Sequence, residues 1–203
     1  MAIPYSARRF PALYASPHSD YDGYMRKEET SSYAKWTDPL APITEQCAAF
    51  DLDDTLASYC KDRGLRACAE FTPLPLLTAA LAYQRAGVTL VLASARPAWC
   101  FGRTLAWCRK HGIRPASIYL KGPEFAGTAH DLKHRMLRDI MQQHQIVSFY
   151  DDSPFNCIVA KDLGIPTCYV PGNESYWMPR GVKEGWFTDR DVFDELGVRP
   201  VVA

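Results

Sequence analysis

The apolar run Cys47-Ala48-Ala49-Phe50 ends abruptly in Asp51-Leu52-Asp53-Asp54-Thr55. Read as a buried strand, this stretch sends Asp51 and Asp53 to one side and Leu52 into the core, because side chains alternate along a strand. Two carboxylates leaving one strand end together are costly to hold unless positive charge sits between them. A hard divalent cation with oxygen ligands meets that need, and Mg2+ takes only one or two carboxylates beside waters and carbonyls. The chemistry such a site suits is metal-assisted phosphoryl transfer. A second acidic pair, Asp151-Asp152, ends another apolar run at Ser148-Phe149-Tyr150.

Alternation of strand and helix signals accounts for how these residues could meet. Strands are expected over 46–51, 88–93, 117–120, 146–150 and 166–170, and helices over 76–85, from Pro97 to about His111, over 128–143, and from Pro154 to Gly164. The run 88–93 is continuously apolar, as a strand buried on both faces should be. Residues 128–143 place Leu132, Met136, Leu137, Ile140 and Met141 on one helical face. Strands alternating with helices imply a parallel, Rossmann-like sheet with right-handed crossovers. Ligands of such sheets sit at the carboxyl ends of the strands, so Asp51, Asp53, Ser94, Arg96 and Asp151-Asp152 are expected at one edge.

Composition limits the alternatives. The 203 residues carry 23 Lys+Arg and 23 Asp+Glu, so no global basic field announces nucleic acid, and any such contact must be a local patch. No apolar stretch is long enough for a bilayer span, and the start of the chain has no signal-peptide pattern. Seven scattered cysteines without a C-x-x-C pair fit buried thiols in a reducing, cytoplasmic setting better than a zinc site. His130 and His134 lie four apart on a helix but lack the H-E-x-x-H context of zinc ligands. The run 51–56 has Leu56 where a calcium loop needs glycine. Residues 1–44 combine helix-breaking prolines with many aromatics and read as an irregular arm outside the core, able to pack on its own domain or to join a homo-oligomer. A core over 45–174 follows, then an extension over 175–203 expected to cover a flank of the sheet.

Taken in order, these residues resemble the haloacid dehalogenase (HAD) superfamily of phosphohydrolases. Asp51-Leu52-Asp53-Asp54-Thr55 matches the D-x-D-x-T motif, and Leu90-Val91-Leu92-Ala93-Ser94 matches the strand ending in Ser or Thr. Lys133 matches the lysine motif, and Ser148-Phe149-Tyr150-Asp151-Asp152 matches the acidic strand end. The resemblance implies Asp51 as nucleophile through an aspartyl-phosphate, Asp53 as acid and base, and Ser94, Lys133 and Arg96 as phosphate contacts. It further implies a Mg2+ ion held by Asp51, Asp53 (through its carbonyl), and the Asp151-Asp152 pair. The interval 55–75 suits a flap loop, and that between Ser94 and Lys133 holds one helix and one strand, so the core is expected to be capless.

Within the superfamily the chain resembles the 3′-phosphatase domain of polynucleotide kinase-phosphatase, through Asp-Leu-Asp-Asp-Thr-Leu-Ala, Arg63 in the flap loop, Ser94-Ala95-Arg96 and Asp151-Asp152. Lys121 stands where that family has a basic phosphate contact. Asp54 and Ala95 depart from the glycines common at their positions, and no G-x-x-x-x-G-K-[ST] occurs. The resemblance implies a polynucleotide 3′-phosphate or a nucleotide as substrate. Arg63, Arg96, Arg103 and Lys121 would form a basic rim, and Tyr59, Trp99 or Phe101 could stack a base. The alternatives are a phosphatase of another small molecule or phosphoprotein, and a non-catalytic binding or assembly protein built on the arm.

Overall fold

The structure is a computed structural model that describes residues 32–41, 44–59 and 64–170. Arg63, residues 1–31 and residues 171–203 lie outside the described residues, and with them the expectations for most of the arm and for the C-terminal extension.

The described chain builds a six-stranded sheet between two layers of helix. In order it forms β1 (Tyr33–Thr37), β2 (Gln46–Phe50), a 3-10 helix (Leu65–Glu70), α1 (Leu77–Arg85), β3 (Thr89–Pro97), a 3-10 turn (Ala98–Cys100), α2 (Phe101–Lys110), β4 (Ser117–Lys121), α3 (Ala129–Met141), β5 (Gln145–Asp151), α4 (Pro154–Asp162) and β6 (Thr167–Tyr169). The strand order is β1-β4-β3-β2-β5-β6. Strands β2 to β6 pair in parallel, as their apolar runs imply, and β2 lies in the middle with β3 and β5 on either side.

The period of two splits the core cleanly. Ala48, Phe50, Leu90, Leu92, Ile118 and Leu120 face the layer that contains Leu105 and Trp107 of α2. Their neighbours Cys47, Ala49, Val91, Ala93 and Tyr119 face Leu132, Met136, Leu137 and Ile140 of α3. Helix α3 starts where it does because Thr128 caps it. The Thr128 hydroxyl accepts from the Asp131 backbone N–H, and the Asp131 carboxylate accepts from the Thr128 N–H, a reciprocal capping box. Helix α4 opens on Pro154, whose missing N–H costs nothing at a first helical position, and gives way to Gly164 at φ 76°.

Two expectations need correction. Residues 33–37 are not outside the core. They form β1, which pairs antiparallel with β4 and makes the sheet mixed rather than purely parallel. Trp36 is 4% exposed and packs on Phe101 with ring centroids 5.5 Å apart, while Lys35 bonds Asp139 at 3.0 Å on the opposite face. Part of the aromatic excess of the first 44 residues is therefore core material. Pro97 does not open a helix either: it ends β3 in an extended conformation, and α2 begins at Phe101 after one 3-10 turn.

Candidate active site

Asp51 and Asp53 emerge from the carboxyl end of the central strand, and Leu52 between them is fully buried. The turn that follows holds Asp54 at φ 57°, the left-handed region where a β-carbon is normally penalised. Aspartate is among the side chains that tolerate it, and here the strain is offset twice. The Asp54 N–H donates to the Ala57 carbonyl at 2.7 Å, and its Oδ1 accepts from the Tyr59 N–H at 2.8 Å. This is why aspartate can stand where glycine is commoner.

Lys133 enters from α3 and is fully buried. Its Nζ donates to Asp51 Oδ1 at 2.5 Å, lies 2.9 Å from Asp151 Oδ2, and also donates to the Ala93 carbonyl. Burial alone would push this ammonium toward neutrality, but Asp151 and Asp51 together outweigh it, and the pKa is raised. The first helical turn of α4 holds the far side of the cluster. The Asn156 side-chain amide donates to both oxygens of Asp151, at 2.9 and 3.1 Å, and the Ser153 N–H donates to Asp151 Oδ1 at 2.9 Å.

On the other side of the central strand, β3 departs from its register with β4 between Ser94 and Pro97. Such irregularities re-aim side chains at sheet edges. Ser94 Oγ accepts the Arg96 N–H at 3.2 Å, which leaves the serine hydrogen available to donate. The Arg96 guanidinium is 2% exposed. It binds Asp53 with two bonds, Nε to Oδ2 at 2.8 Å and Nη2 to Oδ1 at 2.6 Å, and reaches Thr104 Oγ1 at 3.1 Å, over the Phe71 ring.

The carboxylates are crowded. Asp51 is pushed up to about 7 by burial first and by Asp151 and Asp53 next, against the pull of Lys133. Asp152 is pushed up to about 9 by burial, then by Asp151, Asp51 and Asp54. Lys133 alone does not balance this group. Among the described residues, four buried polar side-chain atoms have no hydrogen-bond partner, and three of them belong here: Thr55 Oγ1, Asp152 Oδ2 and Asn156 Oδ1. Excess negative charge beside orphaned oxygens fits a hydrated hard cation. No three carboxylate, imidazole or thiolate side chains converge as an all-protein cage among the described residues. Mg2+ does not require such a cage, since it keeps several waters. The two oxygens of Asp151 are already engaged by Lys133, Asn156 and Ser153, so Asp152 is the member of the pair with an oxygen to offer.

Of the predicted site residues, Asp51, Asp53, Ser94, Arg96, Lys133, Asp151 and Asp152 come together at this edge. Arg96 meets Asp53 rather than open solvent. Lys121 ends β4, two strands from β2, and is half-buried. Phe101, considered for base stacking, is 5% exposed and packed on Trp36, so it is core. Tyr59 packs edge-on against Phe71 at 5.8 Å. Trp99 stays 58% exposed. Thr104 and Asn156 escaped the sequence reading, because neither spacing nor residue type marks a partner that is reached only through the fold.

No protein-family model and no curated protein matches this sequence. Solved structures match by shape. A chain of the Pnkp1/Rnl/Hen1 complex aligns with 66% of this chain and 47% of its own length, at 16% identity and a TM-score of 0.56. A HAD-like phosphatase from Mesorhizobium loti covers 71% of this chain and 82% of its own, at 17% identity and a TM-score of 0.58. D,D-heptose 1,7-bisphosphate phosphatase from B. bronchiseptica, solved with magnesium and phosphate, covers 68% and 90%, at 18% identity and a TM-score of 0.50. The chain thus spans just under half the length of the repair-complex chain. The fold is that of the HAD-like phosphatases.

Proposed function

We propose that this protein is a Mg2+-dependent phosphohydrolase that works through an aspartyl-phosphate on a polynucleotide 3′-phosphate or a nucleotide. The observation that carries the reading is the buried Asp51–Lys133–Asp151 bridge at the end of the central strand, beside an Asp53 held by Arg96. A fold that needed only stability would gain little from burying these charges. The likeness in fold to HAD-like phosphatases supports the same reaction class.

An Asp51 oxygen attacks phosphorus as the bond to the leaving alcohol breaks, and Asp53 delivers a proton to that alcohol. Water then attacks the acyl phosphate, Asp53 takes its proton, and inorganic phosphate leaves with Asp51 restored. Lys133 and the Ser94 hydroxyl meet charge on the transferring oxygens. To carry the proton, Asp53 must free one oxygen from the Arg96 fork, which its 23% exposed side chain has room to do. Asp51, the Asp53 carbonyl and Asp152 would hold the Mg2+, which supplies the positive charge the crowded carboxylates lack. Asp151 serves by fixing Lys133.

The substrate reading rests on an open edge and on the local motifs. Between Asp53 and α1 the described residues add one 3-10 helix, and between Ser94 and Lys133 a 3-10 turn, α2 and β4, so among the described residues no cap domain is inserted at either place to exclude a large phosphorylated end. The test is phosphate release with Mg2+ and with EDTA from 3′- and 5′-phosphorylated oligonucleotides and from mononucleotides, with Asp51→Asn as control. Release from the 3′ end that EDTA and the substitution abolish supports the proposal. Silence on all of these with a sugar phosphate cleaved leaves the mechanism and overturns the substrate.

A further inference from the structure

Among the described residues four large apolar side chains are exposed: Leu40, Trp99, Met141 and Phe155. The two aromatics are not scattered. Trp99 stands in the 3-10 turn that follows β3, three residues beyond Arg96. Phe155 is the second residue of α4, which follows β5, between Pro154 and the Asn156 that grips Asp151. Strands β3 and β5 flank β2 on its two sides, so the exposed rings follow the strands on either side of the one that carries Asp51. His130 adds to the second ring. It lies one turn before Lys133 on the same face of α3, exposed, with its imidazole 5.7 Å from the Phe155 ring at an interplanar angle of 37°.

We infer that Trp99 on one side, and Phe155 with His130 on the other, are stacking platforms for a planar heteroaromatic base carried by the substrate. The inference rests on the phosphohydrolase reading and assigns the residues that receive the base of its substrate. Asp51 and Lys133 are buried, while Trp99 and Phe155 are exposed on the segments that follow the two strands flanking β2. A ring bonded directly to the phosphate, as in a phosphotyrosine or another aryl ester, would be drawn in beside the buried Asp51 with the phosphate. A base separated from its phosphate by a sugar leaves its ring outside the buried cluster, where an exposed aromatic can meet it. Such a group comes either from a free nucleotide or from the end of a nucleic-acid strand, and stacking is indifferent to which base it meets.

The test measures kcat/KM of the full chain on four phosphate esters: a 3′-phosphorylated oligonucleotide, a nucleoside 3′-monophosphate, a phosphotyrosine peptide and glycerol phosphate. Trp99→Ala, Phe155→Ala and His130→Ala are compared with the wild type and with the ring-keeping Trp99→Phe and Phe155→Tyr, each checked by thermal melt. Stacking predicts that an alanine substitution lowers the ratio of nucleotide to glycerol phosphate kcat/KM by about 5- to 100-fold, mainly through KM, and that the aromatic replacement recovers most of it. If the oligonucleotide suffers more than the mononucleotide, the strand end is the source; equal losses point to free nucleotides. An unchanged ratio in all three alanine variants, or a wild-type preference for the phosphotyrosine peptide, overturns the inference and leaves the phosphohydrolase standing. Absence of turnover on all four esters overturns both.

Discussion

Arg96 closes a two-pronged fork on Asp53, although the two residues are 43 positions apart and arrive from different strands. The pair is asymmetric: the guanidinium is buried, while the carboxylate is partly open to solvent. That geometry fixes the direction in which the carboxylate points. Lysine would keep the charge but lose the planar fork. Arg96→Lys should therefore fold, with a fall of a few degrees in Tm, and lose kcat by about 10- to 100-fold, part of the roughly 10²- to 10⁴-fold that a positioned acid–base group supplies. Steady-state kinetics beside a thermal melt checks this, and an unaltered kcat would remove Asp53 from the proton path.

Lys133 is the cation that keeps Asp51 and Asp151 apart. Its replacement by methionine leaves two buried carboxylates facing each other, a change that costs about 3–5 kcal/mol in buried pairs. Lys133→Met should be strongly destabilised in EDTA and recover more stability on Mg2+ addition than the wild type does. Urea unfolding with and without the ion measures the difference; equal recovery would separate the metal from the Lys133 cluster.

The carboxylates also set a pH dependence. Asp152 and Asp51 have folded-state pKa values raised to about 9 and about 7, above the ordinary carboxylate value of about 4. The folded protein therefore holds protons that the unfolded chain releases, and stability falls as pH rises from about 4 toward 9. In EDTA, Tm should decline across that window. In Mg2+ the decline should flatten or reverse, because the ion binds the deprotonated form. Asp152→Asn should remove the upper part of the decline. Calorimetry at pH 5, 7 and 9 decides it, and a Tm that climbs with pH in EDTA would contradict the crowding.

Trp36 tests the correction at the edge of the sheet. It is 4% exposed, against Phe101. Truncation of a buried aromatic costs about 3–5 kcal/mol. Trp36→Ala should lose stability of that order while the KM of any folded fraction stays near that of the wild type. A loss below about 1 kcal/mol would mean that β1 is dispensable to the core.

The sequence alone determined the parallel part of the fold and the edge at which the candidate site residues meet. Apolar runs of the right length force buried strands, strand–helix alternation forces parallel crossovers, and a parallel sheet collects its strand ends at one edge. Asp51, Asp53, Ser94 and Asp151 follow from those local rules. Only the tertiary structure decided what each side chain does once there. The Arg96 fork on Asp53 and the Lys133 bridge join side chains tens of residues apart, and the nearer Thr104 and Asn156 contacts, like the free oxygen on Asp152 rather than Asp151, depend on how the strand ends and helix starts are packed together. Strand β1 was hidden for the same reason. Five residues among prolines carry too little periodicity to announce a strand, and Tyr33–Thr37 becomes one only because β4 offers an open edge and Phe101 a surface for Trp36.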